Sequence, residues 1–246
     1  MIALVRRLVR TVNAPRPAQA GRRDGLAYSL WLPSGRARGG VVILHGAGSC
    51  KESHHDYARV LIAAGLAAVA FDQRGHGESD GPMDEHVLRD VASMAQLLRE
   101  ACRPELPTAL RGSSMGGYLA ILAARAVGAR ALVAICPASG EGLRRALRAG
   151  TLSFDADGTS LDSFFAAHDL HTEVAALDIP VLLLHAAGDE QVPVEHSREL
   201  ATGLQSPSSR LIVLPGGHHR SIQHDPEMQA VSAQFIERAL GREHPR

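Results

Sequence analysis

The chain has 246 residues, and its 26 lysines and arginines equal its 26 aspartates and glutamates. Zero formal charge excludes the basic footprint of a nucleic-acid-binding domain, and no run reaches the roughly 20 apolar residues of a membrane span. A 45% apolar fraction over this length suits one large soluble domain.

Met1 to Arg10 is apolar but broken by Arg6, Arg7 and Arg10, unlike the unbroken apolar run of a signal peptide. Residues 1–25 read as a leader without stable membrane insertion, and 11–25, with Pro15, Pro17 and Gly21, as a loop. Leu26 to Leu32 alternates apolar with small or polar residues, predicting a half-exposed edge strand. Val41–Leu44 and Ala67–Phe71 are short apolar runs, as in strands buried on both faces. Between them Tyr57, Val60, Leu61 and Ala64 have helical spacing, stopped by Gly65. Asp84 to Ala101 carries Val87, Leu88, Val91, Met94, Leu97 and Leu98 on one face and predicts an amphipathic helix. Thr108–Arg111 predicts a strand, Gly117 to Ala126 a helix, and Arg130–Ile135 another strand. Residues 138–178 break the rhythm. Pro180–His185 and Leu211–Leu214 predict the last strands, each followed by a helix, from Val194 and Glu227 respectively. Alternation of this kind argues a largely parallel α/β sheet in three layers.

The most informative stretch is Gly112-Ser113-Ser114-Met115-Gly116, set between a strand and a helix. In a turn this tight the positions two residues either side of the central serine have no room for a Cβ, and both are glycine. The turn lifts Ser114 clear of the sheet, and the Met115 N–H opens the helix, without an intrahelical partner and at the positive end of the dipole. Gly77-Glu78-Ser79-Asp80-Gly81 fits the same pattern, but Pro82 follows and no helix starts there, so Ser79 reads as a loop serine.

Strand, G-x-S-x-G and helix in succession resemble the nucleophile elbow of the α/β-hydrolase superfamily. Further motifs carry the resemblance over residues 26–240. His45-Gly46-Ala47 closes an early strand and is similar to the loop that supplies the second oxyanion donor, here the Ala47 N–H beside that of Met115. Asp72-Gln73-Arg74-Gly75-His76-Gly77-Glu78-Ser79 resembles a structural loop of the family. Gly188-Asp189 with Val192-Pro193 resembles the acid loop and points to Asp189, with Glu190 second. Gly216-Gly217-His218-His219 resembles the histidine turn; G-x-x-H spacing selects His219, and G-x-H would select His218. Ser, Asp and His in this order match the superfamily.

The resemblance implies an α/β-hydrolase fold over 26–246, with 138–178 as a small cap insertion. It implies a serine hydrolase that cleaves carboxylic esters through Ser114, His219 and Asp189 and an acyl-enzyme. Thioester or peptide cleavage by the same fold is the alternative, as is a non-catalytic ligand-binding relative. A small-molecule ester is the expected partner, and no cofactor is expected. Cys50, Cys102 and Cys136 lack paired spacing, which argues for a reducing, cytoplasmic compartment. Despite 13 histidines there is no H-E-x-x-H or C-x-x-C, and His54-His55 and His168/His171 are poor local metal signals, so no metal is expected. The sequence leaves oligomeric state open.

Overall fold

The computed structural model of the protein describes residues 14–241. Eight strands form one sheet: β1 (Gln19–Arg23), β2 (Leu26–Trp31), β3 (Gly40–Leu44), β4 (Ala67–Phe71), β5 (Thr108–Ser113), β6 (Ala131–Ile135), β7 (Val181–Ala186) and β8 (Arg210–Leu214). Their spatial order is β1-β2-β4-β3-β5-β6-β7-β8. β1 and β2 are antiparallel to their neighbours, and β4 through β8 run parallel. The helices are α1 (His55–Ala63), α2 (Val87–Cys102), α3 (Met115–Ala123), α4 (Gly140–Arg148), α5 (Gly158–Ala167), α6 (Leu170–Ala175), α7 (Val194–Thr202), α8 (Ser221–His224) and α9 (Pro226–Leu240).

Two apolar cores hold three layers together. Alternate residues of β3, such as Val42 and Leu44, join the core with α2, α3 and α7; Val41 and Ile43 join the other, with α1 and α9. Both faces of these strands are therefore covered, which explains their unbroken apolar runs. α3 is buried at every position, so its helix carries no polar face. Among the described residues no helix is long and apolar enough to cross a membrane.

Two expectations are corrected. The stretch expected as a loop over 11–25 contains β1, which forms a hairpin with β2 through Asp24 and Gly25, at φ 53° and 81°. Left-handed backbone at both turn residues matches the twist of the paired strands. The strand expected over 26–32 is consequently interior, ends at Trp31 and is buried from Leu26 to Trp31, while β1 takes the exposed edge. The basic stretch Met1–Arg10 lies outside the described residues. Residues 138–178 fold as α4, α5 and α6. Asp162 of α5 accepts from Arg144 (3.2 Å) and Arg148 (2.9 Å) of α4, so those two arginines are neutralised within the insertion.

Candidate active site

The strand order reverses at β3, which has β4 on one side and β5 on the other. Loops leaving the carboxyl ends of β3 and β5 therefore meet, as ligand-binding loops do at the switch point of an open α/β sheet. Leu44 is in register with Gly112, so both loops start at one level. A Cβ built on Gly46 would lie 3.2 Å from the Ser114 Cβ, which places the His45-Gly46-Ala47 loop directly against Ser114.

Ser114 joins β5 to α3 with φ 54° and ψ −121°. A non-glycine residue here carries strain of about 1–3 kcal/mol. The surroundings hold it there: Ser114 N–H donates to Ile135 O (2.8 Å), and Ser114 O accepts from the N–H groups of Gly117, Tyr118 and Ala138. A Cβ on Gly112 would collide with the Gly116 carbonyl, and one on Gly116 with the carbonyls of Leu44 and His45. The two glycines are thus required by backbone packing. Neither the Met115 nor the Ala47 N–H donates to an acceptor among the described residues, leaving two uncommitted donors beside Ser114.

Asp189 follows β7. Its Oδ1 accepts from the N–H groups of Gln191 and Val192, each at 2.9 Å, and its Oδ2 accepts from His219 Nδ1 at 2.7 Å. The carboxylate is fully buried and the His219 ring nearly so. Burial alone would raise the carboxyl pKa; the hydrogen bonds from His185, His219 and the two amides reverse this and hold it well below the usual range. With an ionised Asp189 as acceptor, His219 Nδ1 is the donor of this bond, and Nε2 is the ring nitrogen left outside it. His218 is exposed and engaged with Ser221, whose Oγ donates to His218 O (2.7 Å). Glu190 accepts from the His219 backbone N–H (3.2 Å), not from its ring. Asp189 therefore meets His219 and not His218.

His45 itself is structural. It is fully buried, its Nε2 accepts from Gln73 N–H (3.0 Å), and Gln73 Nε2 donates back to His45 O (2.7 Å). Burial, with His76 beside it, pushes its pKa down to about 4, so it stays neutral and pins the loop. Ser79 is committed likewise: its Oγ accepts from Ala27 N–H (2.9 Å) and donates to Asp72 O.

Ser114 opens on two cavities. The larger, about 610 Å³, is walled by apolar residues including Ala138, Leu143, Ala146, Leu152 and Val192, with Arg145, Glu195, His196 and Glu199 also lining it. The smaller, about 190 Å³, is lined by Ser49, Ser53, Ser113, Gln191, Gln223 and His224 among others. Ser114, Ala47 and His219 all line the smaller one. Ser114 Oγ forms no hydrogen bond among the described residues; the shared cavity is what brings it together with His219.

Sequence reading passed over His185 and Cys136. His185, the penultimate residue of β7, is fully buried; its Nδ1 lies 2.7 Å from Ser197 Oγ and its Nε2 2.9 Å from Val192 O and 3.4 Å from Asp189 Oδ2. A histidine ending an otherwise apolar strand, four residues before the acid, was the available signal. Cys136, at φ 42°, has its Sγ within 4.8 Å of ligand atoms of both Asp189 and His219. Burial, followed by the nearby carboxylates, pushes that thiol up, so it stays protonated and is a poor metal ligand.

Residues 35–153 match the family model described as serine aminopeptidase, S33, and residues 165–240 match that of TAP-like protein. The chain is 29% identical over 257 residues to a monoacylglycerol lipase of Mycolicibacterium smegmatis, covering 84% of this chain and 89% of that one. It is 37% identical over 99 residues to monoglyceride lipase of Homo sapiens, covering 38% of this chain and 32% of that one. The solved structure of Paleococcus ferrophilus monoacylglycerol lipase superposes with a TM-score of 0.69 at 21% identity, over 87% of this chain and 99% of that one.

Proposed function

We propose that this chain, which belongs to the α/β-hydrolase superfamily, cleaves carboxylic esters of monoacylglycerol type through Ser114, His219 and Asp189. The observation that carries the reading is the buried 2.7 Å bond from His219 Nδ1 to Asp189, which leaves Nε2 as the uncommitted ring nitrogen of a residue lining the cavity that Ser114 also lines.

In this mechanism Nε2 takes the Ser114 proton as Oγ attacks the ester carbonyl, and Asp189 stabilises the imidazolium. The developing oxyanion is held by the Met115 and Ala47 N–H groups, which have no acceptor among the described residues. Nε2 then protonates the leaving alcohol. Water, activated in turn by His219, releases the acid and restores Ser114.

The two cavities support the substrate class. The 610 Å³ cavity is within the range of small-molecule sites and suits an acyl chain. The 190 Å³ cavity, with serine hydroxyls and glutamine amides in its lining, suits a small polyol leaving group. The α4–α6 insertion would act as the cap, since α4 lines the larger cavity. Relatives named monoacylglycerol lipase add support. A peptidase reading draws on the family description.

The test is release of fatty acid from monoacylglycerols, and of p-nitrophenol from esters of graded chain length, by wild type and by Ser114→Ala. Turnover by wild type with loss of at least ~10⁴-fold in Ser114→Ala is expected. Turnover that survives in Ser114→Ala refutes the assignment. A folded wild type that binds esters without turnover refutes the enzymatic reading.

A further inference from the structure

A second cluster of coordinating side chains lies at the large cavity, away from Ser114. His171 comes from α6, and His196 and Glu199 come from α7. One nitrogen or oxygen from each, three atoms in all, lie within 4.8 Å of one another. His196 and Glu199 are three residues apart on one helix and so share a face. The His171 and His196 rings meet edge to face, with centroids 6.1 Å apart. His196 Nε2 is buried without a hydrogen-bond partner among the described residues. His171 and Glu199 are exposed, so rotamer changes can close the remaining distance to ligand bonds of about 2.0–2.2 Å.

We propose that His171, His196 and Glu199 form a divalent transition-metal site that clamps the inserted helices to α7 beside the large cavity. Two imidazoles and one carboxylate suit Zn²⁺, Co²⁺ or Ni²⁺, whereas Mg²⁺ and Ca²⁺ take oxygen ligands. Three protein ligands leave a fourth position for water, as in open zinc sites. His196 and Glu199 line the cavity that Ser114 also lines, so the ion sits beside the route of the acyl chain. The full site was not visible as a sequence motif because His171 comes from a different helix than the His196/Glu199 pair. It stands independently of any role for Ser114.

The full chain, freed of metal with chelator, is titrated with Co²⁺ and followed by the visible absorption of tetrahedral Co²⁺. Zn²⁺ titration by calorimetry and by thermal shift accompanies it. The expected result is one ion per chain, a rise in Tm with Zn²⁺, and at least ~10-fold weaker binding in His171→Ala and in Glu199→Gln. Both replacements are at exposed positions, where loss of the fold is not at issue. His219→Ala is expected to leave the titration unchanged. Absence of binding at about a hundredfold excess of metal overturns the proposal, as does binding that survives His171→Ala. Binding lost in His219→Ala also overturns it, because the ion would then belong to the cluster of Cys136, Asp189 and His219.

Discussion

Replacing Asp189 with asparagine changes one oxygen to an amide, and the structure dictates which way the amide must face. Oδ1 accepts from two backbone N–H groups, of Gln191 and Val192, at 2.9 Å. Putting the NH₂ there would set it against both backbone donors and take away their acceptor, so that orientation is the less stable one. The asparagine oxygen therefore keeps the Oδ1 position, and its NH₂ faces His219 Nδ1. His219 must then accept at Nδ1 and carry its proton on Nε2, the wrong tautomer to take a proton from Ser114. The expected cost is about 10⁴ in kcat, as for the equivalent change in serine triads. KM should hold within about twofold, because Asp189 lines neither cavity. The assay is steady-state hydrolysis of a p-nitrophenyl ester by a variant whose fold is verified by circular dichroism. A folded Asp189→Asn enzyme within tenfold of wild type would refute the tautomer argument and the role of Asp189 with it.

Three further outcomes follow from the same geometry. The Asp189 carboxyl is held below its ordinary pKa, so its contribution to stability is present above about pH 4, the unfolded value, and is lost as pH falls toward the folded one. The Tm gap between wild type and Asp189→Asn should thus narrow on acidification, and a constant gap from pH 7 to below about pH 4 would contradict it. Gly116→Ala drives a Cβ into the Leu44 and His45 carbonyls; overpacking predicts a loss of about 1–3 kcal/mol in urea unfolding together with loss of turnover. His185→Gln removes the contact to Asp189 and the hydrogen bond to the Val192 carbonyl that brace the acid loop. Misplacement of about 1 Å predicts up to a 10²-fold fall in kcat with KM nearly unchanged, whereas a change in KM alone would deny His185 a positioning role.

Much of the fold could be read because the local patterns and the tertiary environment agree. β3, β4, β6 and β7 are buried on both faces, and their apolar runs say so. β1 failed the same reading because Gln-Ala-Gly-Arg-Arg is an exposed edge with no apolar face. Its real signal lay elsewhere: Asp24-Gly25 is among the strongest short hairpin signatures. Reading that dipeptide as a turn between strands would have placed β1 outside β2 and removed the error of calling residues 26–32 an edge.

Site residues are legible where the backbone itself demands a residue type. Gly112 and Gly116 have no room for a Cβ, and Asp189 accepts from amides two and three residues on, which is turn chemistry written into the local sequence. Partnerships between distant segments leave no such trace. His185 looks like part of an apolar strand until the loop after it folds back across its ring. The pair His218-His219 is the sharpest case, since two identical side chains in succession carry no distinguishing chemistry. Ser221 separates them: its hydroxyl accepts from His218 N–H at 3.0 Å and donates to His218 O at 2.7 Å, turning that residue outward at the entry to α8. The next side chain is then turned inward, and His219 is buried against Asp189. A serine three residues downstream thus holds the backbone of His218, while the next imidazole is the one that meets Asp189. Ser221→Ala should on this argument lower kcat by loosening the turn, while leaving the Asp189 loop intact.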